Sequence, residues 1–367
     1  MKVAIFTNTV ERGAFSASFS GISWALTENG VTDIDILYYN GDAKKSVNVF
    51  PYNVRFIKLD GGRGIKSILG LRRYLEQDSP DFLITGPNYV NLIAIFTYIT
   101  TRWKKHGKLI ITHHHPIELS HQISKKNNKW LSKFFYKYAS ASYGVSPSSV
   151  DDAIKMTNIN PKTVELIPNV LVPYDGSDSN ETHPWLSDKK KSFIFITVSR
   201  LVPSKNIGLL IKAFSSVSAV VDSKLIIVGQ GPDMENLKKL IKSLSLEKKV
   251  CLCGFIEDVK LYINQANAFV LSSNEEGFGQ VITEAMSVGC PIISTDASGG
   301  GVRYILQDGK YGVLVPKEDE IKLGEAMIEF ATQKSVVQRY KELAQLRAKD
   351  FYPKVVGQKL IKFLSGI

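Results

Sequence analysis

The sequence predicts an α/β protein built from two doubly wound parallel-sheet domains in series. Short apolar runs of strand length alternate with segments of helical spacing, which is typical of parallel sheets with helices on both faces. The alternation lapses over residues 172–191, a polar, charged and turn-rich stretch, and then starts again. A chain of 367 residues also exceeds one ordinary hydrophobic core. We therefore predict an N-terminal domain over residues 1–172 and a C-terminal domain over residues 190–350.

The N-terminal half opens with a strand, a polar loop and a helix, at residues 3–7, 8–15 and 16–28. Further apolar runs predict strands at residues 34–38, 54–59, 82–85, 109–112, 143–145 and 164–167. Helical spacing predicts helices at residues 65–77 and 90–105.

The C-terminal half repeats this alternation. The predicted strands lie at residues 193–198, 224–228, 250–253, 268–271, 291–294 and 312–315. The predicted helices lie at residues 206–220, 233–243, 281–288, 320–334, 336–349 and 355–364. Ligands of such sheets bind at the carboxyl ends of the strands, so we expect the site residues there.

Composition narrows the class of protein. Apolar residues make up 44% and charged residues 22%, as in soluble globular proteins, and no run of about 18 apolar residues predicts a transmembrane helix. The first residues enter a strand pattern without the features of a signal peptide, so we expect a cytoplasmic protein. The three cysteines, Cys251, Cys253 and Cys290, are interpreted as packing thiols, because Cys251 and Cys253 have no histidine nearby in the sequence.

The net charge of +11 is concentrated in the first half of the chain. Residues 1–172 contain 21 Lys and Arg against 13 Asp and Glu, whereas the remainder contains 25 against 22. A one-sided excess favours contact with an anionic membrane or an anionic substrate, and no nucleic-acid partner is expected.

Residues 272–291 contain two acids, Glu276 and Glu284, on either side of a helix start. A Gly-Phe-Gly turn follows the first acid, and an apolar helix over residues 281–288 contains the second. The helix start near Gly279 presents free N–H groups and a positive dipole end, which suit a phosphate. Carboxylates accept hydrogen bonds from sugar hydroxyls. This stretch by itself therefore suggests a nucleotide sugar.

Two cations, Arg200 and Lys205, follow the strand predicted at residues 193–198. Arg offers a fork for phosphate oxygens and Lys a point charge. Two solvated surface cations would be the simpler explanation. Their position after a strand, together with the helix start near Gly279, favours phosphate binding.

A Gly-Gln-Gly-Pro sequence with Gly229 and Gly231 follows the strand predicted at residues 224–228. It is explained equally well by a tight strand-to-helix turn and by close backbone approach to a nucleotide.

Three adjacent histidines, His113, His114 and His115, close the strand predicted at residues 109–112. Adjacent side chains diverge, and the spacing of known metal motifs is absent from the sequence, so no metal is expected. We instead expect one imidazole to reach the ligand end of the strand, where it can bond a sugar or hold a proton.

Asp33 and Asp35 form an Asp-x-Asp sequence like the one that holds a divalent cation in one class of sugar transferases. It lies at the start of a predicted strand, away from the ligand end, and is interpreted as a solvated strand edge. Charge on a leaving group would then be met by Arg200, Lys205 and a helix dipole instead of a metal.

Residues 124–138 combine a lysine stripe with an aromatic stripe at helical spacing. The stripes contain Lys125, Lys129, Lys133 and Lys137, and Trp130, Phe134 and Tyr138. The pattern fits a helix at the surface of an anionic membrane, but it equally fits aromatic residues packed on the sheet beside solvated lysines. The basic first half slightly favours the membrane.

The chain resembles the retaining glycosyltransferases of family 4, also called group 1, which have the GT-B architecture. The resemblance covers most of residues 192–316 and includes the sequences VSRLVPSKNIGLLIKAF, KLIIVGQGP, VCLCGF, EEGFGQVITEAMSVGCPII and DGKYGVLVP. It implies two Rossmann-like domains facing each other across a cleft, the first for the acceptor and the second for the nucleotide sugar. It also implies that the last helix, in residues 351–367, crosses back to the first domain.

The resemblance also implies roles for individual residues. Arg200 and Lys205 would hold the diphosphate, Glu276 the sugar hydroxyls and Glu284 the ribose. The backbone of Phe278, Gly279, Gln280 and Val281 would bind sugar and phosphate, Gly13 would lie near the phosphates, and His114 would be the usual cleft histidine. The chain departs from the family in having a single glycine, Gly13, in the first loop, and Tyr304 where an acid is frequent.

The implied activity is transfer of a hexose or N-acetylhexosamine from a nucleoside-diphosphate sugar with retention and without a metal or other cofactor. A UDP-sugar donor and a glycan or lipid-linked acceptor in bacterial surface polysaccharide or glycolipid assembly are expected, with possible contact to the inner face of the membrane. A GDP-sugar donor, a soluble or protein acceptor, a nucleotide-sugar epimerase and a non-catalytic binder are the alternatives.

Overall fold

The computed structural model describes residues 1–11, 13–45, 49–59, 66–115, 126–172, 183–187 and 192–367. Contacts divide the chain into two compact units, residues 1–172 with 351–367 and residues 173–350, here called the first and second units. Each unit is built on one all-parallel sheet, so the predicted fold class is confirmed.

The first unit contains a seven-stranded sheet in the order β3-β2-β1-β4-β5-β6-β7. Its strands are β1 (Lys2–Thr9), β2 (Asp33–Asn40), β3 (Val54–Lys58), β4 (Phe82–Thr85), β5 (Lys108–His113), β6 (Ala141–Gly144) and β7 (Val164–Leu166). Its first helices are α1 (Ala14–Glu28), α2 (Ser67–Asp78), α3 (Asn88–Thr100), α4 (Lys126–Phe135) and α5 (Pro147–Met156). The alternation of side chains along β1 places Val3 and Ile5 in one hydrophobic core and Ala4 and Phe6 in another, so helices cover both faces.

The second unit contains a six-stranded sheet in the order β10-β9-β8-β11-β12-β13. Its strands are β8 (Phe193–Val198), β9 (Ser223–Val228), β10 (Val250–Gly254), β11 (Ala268–Leu271), β12 (Ile292–Thr295) and β13 (Val313–Val315). Its helices are α6 (Pro184–Ser187), α7 (Ile207–Val220), α8 (Met234–Ser243), α9 (Val259–Gln265), α10 (Gln280–Ser287), α11 (Gly301–Leu306), α12 (Glu320–Thr332) and α13 (Lys334–Ala348). Most of the stretch predicted as a linker, residues 172–191, lies outside the described residues, and its described part consists of Val172, His183 and α6.

The last helix, α14 (Pro353–Ser365), packs in the first unit. Val356, Leu360 and Leu364 lie in the same core as α1. A Cβ atom at Gly357 would lie 2.3 Å from the carbonyl oxygen of Ala25, so glycine allows the two helices to touch.

The helix predicted over residues 90–105 is wrong in length. It ends at Thr100, and a 3₁₀ turn over Arg102–Lys105 follows. The hydroxyl of Thr100 donates to the carbonyl of Phe96 at 3.0 Å, and that of Thr101 to Tyr98 at 3.2 Å. Such side-chain bonds compete with the next turn of a helix.

Candidate functional site

Two oppositely charged side chains meet at the carboxyl ends of neighbouring strands of the second unit. Lys205 follows β8, and Glu276 follows β11. The Nζ atom of Lys205 lies 2.5 Å from Oε1 of Glu276, and the two side chains are only 16% and 12% exposed. The second cation, Arg200, is exposed and forms no ion pair with any described residue.

The carboxylate of Glu276 is held through one of its two oxygens. The hydroxyl of Ser273 donates to Oε1 at 3.1 Å, the same atom that accepts from Lys205. Among the described residues, none donates a hydrogen bond to Oε2. One carboxylate oxygen is therefore fixed by the protein, and the other keeps its capacity to accept a hydrogen bond from a ligand.

A glycine loop fixes the backbone around Glu276. The N–H of Glu276 donates to the carbonyl of Ser298 at 2.8 Å. A Cβ atom at Gly299 would lie 2.1 Å from the Glu276 carbonyl oxygen, and one at Gly301 would lie 2.3 Å from the Cα atom of Phe278. Glycine is therefore required for the loop to pack this closely.

Gly229 and Gly231 pack against the loop that contains Arg200. A Cβ atom at Gly229 would lie 1.8 Å from the carbonyl oxygen of Ser199, and one at Gly231 would lie 2.1 Å from that of Leu201. This packing explains both glycines and supports the turn interpretation. Contact with a nucleotide stays a prediction.

Helix α10 begins beside Glu276. Gly279 precedes it with φ 91°, in the left-handed region, and Gln280 and Val281 are its first residues. No described side chain caps this end, so its first N–H groups keep hydrogen-bonding capacity. Phe278 is 3% exposed and anchors the turn in the core.

Glu284, the second acid of the stretch, lies one turn along α10. It is half-buried, and burial raises its pKa, while the charge of Lys260 acts in the opposite direction. Its expected contact with ribose stays a prediction.

In the first unit, His114 follows β5 and is buried. Its ring packs edge-on against Phe15 and Phe19 of α1, with centroids 5.2 and 5.6 Å away. Burial lowers the pKa of His114 to about 3, with smaller contributions from His115 and His113. The imidazole is therefore neutral at pH 7, and its Nε2 has no partner among the described residues.

Gly13 and His114 lie at the same end of the first unit's sheet. Gly13 immediately precedes α1, two residues before Phe15, and a Cβ atom there would meet nothing within 4 Å. Packing against the described residues therefore does not require a glycine at position 13.

The interpretation of Asp33 and Asp35 as a solvated strand edge is wrong for Asp35. Asp33 is exposed, but Asp35 is fully buried. Arg55 donates to both Asp35 oxygens at 2.7 Å, and the Tyr74 hydroxyl donates at 2.5 Å. Burial by itself raises the pKa of Asp35, but the bonds from Arg55 and Tyr74 outweigh it and hold the pKa below its usual value.

Cys251 and Cys253 have no histidine nearby in the sequence, but the fold brings His183 next to them. Their sulphur atoms lie 3.0 Å apart, and a ring nitrogen of His183 joins them within 4.8 Å. The hydrogen bond from Cys253 lowers the pKa of Cys251. Sequence reasoning missed this histidine because it is 68 positions away from Cys251.

The aromatic stripe of residues 124–138 is exposed in its described part. Trp130, Phe134 and Tyr138 are 59%, 41% and 47% exposed, so the alternative that they pack on the sheet is wrong. Helix α4 ends at Phe135, and a 3₁₀ turn over Tyr136–Tyr138 follows.

The lysine stripe is described only in part. Lys133 and Lys137 are exposed. Lys125 and the side chain of Lys129 lie outside the described part of the chain. Leu131 and Phe135, on the adjacent face, pack against the core.

Comparison with known proteins adds the family. The family model for glycosyl transferases group 1 matches residues 178–347, and the model for glycosyltransferase family 4 matches residues 22–171. The chain belongs to glycosyltransferase family 4. The resemblance inferred from the sequence and the expected enzyme class, a glycosyltransferase, are thereby confirmed.

Two relatives of this glycosyltransferase come from bacteria. It is 28% identical over 299 residues to the N-acetylgalactosamine-N,N'-diacetylbacillosaminyl-diphospho-undecaprenol 4-alpha-N-acetylgalactosaminyltransferase of Campylobacter jejuni, covering 81% of this chain and 78% of the relative. It is 34% identical over 166 residues to the poly(glycerol-phosphate) alpha-glucosyltransferase of Bacillus subtilis, covering 45% of this chain and 24% of the relative.

The glycosyltransferase also resembles the solved structure of HepE from Anabaena in complex with UDP. The TM-score is 0.79 with 18% identity, and the match covers 100% of both chains. This likeness shows the fold, the GT-B architecture. Within the described residues, no helix of the glycosyltransferase combines the length and apolar character that crossing a bilayer requires.

Proposed function

We propose that this glycosyltransferase transfers a hexose or N-acetylhexosamine from a UDP-sugar to a hydroxyl of a lipid-linked saccharide or glycan acceptor in polysaccharide or glycolipid synthesis. The observation on which this rests is the Lys205–Glu276 pair, with Oε2 of Glu276 left to accept from a ligand beside the uncapped start of α10. A cation and free N–H groups suit a diphosphate, and a carboxylate oxygen that can accept from a hydroxyl suits a sugar. All three lie at the carboxyl ends of the strands of one sheet.

Charge on the departing diphosphate is taken up by Arg200, Lys205 and the start of α10. Positive groups that are already in place where charge develops stabilise the transition state without reorganising. Lys205 is held by Glu276, whereas exposed Arg200 is available to close on phosphate oxygens. With these groups supplying the charge, we propose that the transfer does not require a metal.

The sugar is held through its hydroxyls. Oε2 of Glu276 accepts from one of them, and the carboxylate of Glu284 is assigned to the ribose. We propose that neutral His114 forms a hydrogen bond with a substrate hydroxyl, because a buried imidazole with an unused Nε2 favours a neutral polar partner over a charged one.

We further propose that the anomeric configuration is retained. The sugar–phosphate bond loosens, the acceptor hydroxyl attacks from the same face, and its proton passes to the leaving phosphate. The names of both bacterial relatives specify an α-linked transfer. The HepE complexes with UDP and UDP-glucose support a UDP-sugar donor, and a GDP-sugar is the alternative.

The acceptor is proposed to be presented at a membrane surface. The undecaprenol-linked acceptor in the Campylobacter relative's name favours a lipid-linked saccharide. Exposed Trp130 and Phe134, with ring centroids 4.7 Å apart, form an aromatic patch beside basic Lys133. Such a patch can enter the headgroup region of an anionic bilayer.

A thermal screen of UDP- and GDP-sugars tests the donor. A ligand that binds only the folded state raises Tm, and we expect UDP-sugars to do so. Stabilisation by GDP-sugars alone would replace the proposed donor.

Donor turnover measured with and without acceptor separates transfer from epimerisation and from simple binding. NMR of the product's anomeric carbon tests retention.

Arg200→Ala tests the charge assignment, with Arg339→Ala on the exposed face of α13 as a matched control. We expect transfer to fall by about 10²–10³-fold in the first variant only. Full activity of Arg200→Ala would contradict the mechanism.

Co-sedimentation with anionic liposomes tests the membrane proposal. The test variant changes Lys125, Lys129, Lys133 and Lys137 to Glu. The control changes four exposed lysines of the second unit to Glu, giving the same net charge: Lys212, Lys238, Lys242 and Lys248. We expect only the test variant to lose binding, and equal binding by both would remove the membrane argument.

A further inference from the structure

Three side chains of types that can ligate a metal lie close together in the second unit, apart from the residues proposed to bind the donor. They are Cys251 and Cys253 on β10 and His183, immediately before α6. One sulphur from each cysteine and one ring nitrogen lie within 4.8 Å of one another, and all three residues are half-buried.

The local fold explains why these groups meet. Side chains two residues apart on a strand share a face, so Cys251 and Cys253 point the same way, while Val250 and Leu252 pack into the core on the other face. Strand β10 is at the edge of the sheet. Buried Leu186 anchors α6, and Nζ of Lys224 lies 4.7 Å from the ring centroid of Trp185.

We propose that Cys251, Cys253 and His183 bind a zinc ion, with solvent in the fourth position. Two thiolates and an imidazole are ligands that zinc prefers, in a tetrahedral arrangement. Zinc–sulphur bonds of about 2.3 Å place two sulphur atoms about 3.8 Å apart. The observed 3.0 Å between the sulphur atoms reaches this value by a small side-chain rotation.

The geometry favours a metal over a disulfide. The two sulphur atoms lie 3.0 Å apart, beyond the about 2.05 Å of a disulfide bond. A disulfide would also leave His183 unused, whereas a zinc ion engages all three groups. Binding releases the two thiol protons to solvent, and the resulting Zn²⁺ with two thiolates has no net charge, so Lys224 does not oppose it.

Metal binding requires two local hydrogen bonds to break, the one between the thiols of Cys251 and Cys253 and one at His183. The N–H of Trp185 donates to Nδ1 of His183 at 3.2 Å. If Nδ1 ligates the metal, this acceptor is lost, and if Nε2 ligates it, Nδ1 carries the ring proton and cannot accept. Either nitrogen therefore frees the Trp185 N–H, and the bond given up is a long one.

The proposed ion would tie α6 to the edge of the sheet. The carbonyl of Gly254, next to Cys253, accepts from the N–H of Gly229 at 2.7 Å. The ion would therefore also stiffen the strand that supports the Gly229 turn. The inference does not depend on the proposed donor or acceptor.

Titration of the reduced full chain with Co²⁺ and then Zn²⁺ tests the site. We expect one Co²⁺ per chain with a thiolate-to-cobalt charge-transfer band, displacement of that band by Zn²⁺, and a rise in Tm with Zn²⁺. Cys290→Ser, which alters the one cysteine outside the cluster, should behave as the native chain. His183→Ala should keep the band and weaken binding by about tenfold or more.

The conservative variants Cys251→Ser and Cys253→Ser should each lose the band while remaining folded by circular dichroism. The absence of a thiolate band from the native chain would overturn the proposal. An unchanged band in either serine variant, or unchanged affinity in His183→Ala, would do so as well.

Discussion

Two carboxylates, one in each unit, form an ion pair in or next to a parallel strand. They differ in how many of their oxygens accept a hydrogen bond from the protein. Asp35 lies near the start of β2, and both of its oxygens are occupied by Arg55 and Tyr74. Glu276 lies after the end of β11, and Lys205 and Ser273 occupy only Oε1. Similar ion-pair chemistry therefore fills both oxygens of the carboxylate near the start of β2 and leaves one oxygen of the carboxylate after β11 open to a further hydrogen bond.

Lys205→Ala tests this difference and should have the largest effect of the variants considered. We expect the transfer rate to fall by about 10²–10³-fold, because the variant loses a charge that is already in place for the leaving diphosphate. Lys212→Ala, on the exposed face of α7, is the control and should keep full activity. Turnover at saturating donor measures the effect. A near-native rate in Lys205→Ala would show that the Lys205–Glu276 pair, like the Arg55–Asp35 pair, has only a structural role.

Asp35→Asn should lower stability instead of activity. We expect the free energy of unfolding in urea to fall by about 2–3 kcal/mol, below the usual range for buried pairs because Arg55 stays half exposed. The matched Asp33→Asn should change it by less than about 0.5 kcal/mol. Turnover per folded molecule should not change, and a selective loss of turnover would give Asp35 a functional role.

The same pair makes a pH prediction. The pKa of Asp35 is lower in the folded state than its usual value, so its contribution is present above the usual value and is lost as pH falls below about 4. The difference in stability between the native chain and Asp35→Asn should therefore shrink with acid in that window.

His114→Gln should have a smaller effect, visible in the pH dependence of stability. Burial lowers the pKa of His114 to about 3, so the unfolded chain binds the proton first as pH falls below about 6.5. Native stability should therefore drop between pH 6.5 and pH 5 by about 1–2 kcal/mol more than that of the variant. Urea unfolding at pH 7.5 and pH 5 measures this, and equal losses would show that His114 is not buried as a neutral ring.

Gly13→Ala should have the smallest effect on stability, within about 0.5 kcal/mol. A Cβ atom there meets nothing within 4 Å, and φ 163° is open to any residue. A fall in donor affinity without a change in Tm would therefore report a ligand beside Gly13. Unchanged donor affinity would remove Gly13 from the predicted site.

The sequence predicts the strands of this fold well where burial is complete. Three strands, at residues 82–85, 193–198 and 268–271, have the predicted bounds, because apolar runs between polar or turn-forming residues are strong local signals. Helices α5, α6, α9 and α11 were not predicted. Usable signals were missed at α5, which has a Ser146 cap followed by Pro147, and at α9, which has an Asp258 cap. Helix α6 has only four residues, and α11 begins in a glycine run that is typical of a loop.

The positions of the candidate site residues in the fold were predictable from the sequence, but their contacts were less so. Arg200, Lys205 and Glu276 lie at strand ends, as the alternation of strands and helices predicts. The partner of Asp35, by contrast, is 20 positions away on β3, and His183 is 68 positions from Cys251. Pairings of this kind depend on how elements pack, and one sequence contains no local signal for them.

The return of α14 to the first unit has a consequence for biogenesis. Val356, Leu360 and Leu364 fill the core beneath α1, and the ribosome makes them only after the whole second unit. Until then, the face of α1 around Ala25, where Gly357 packs, lacks its cover. During synthesis the first unit to emerge is therefore the last to complete its core, and α1 is the surface on which a chaperone would have most to protect.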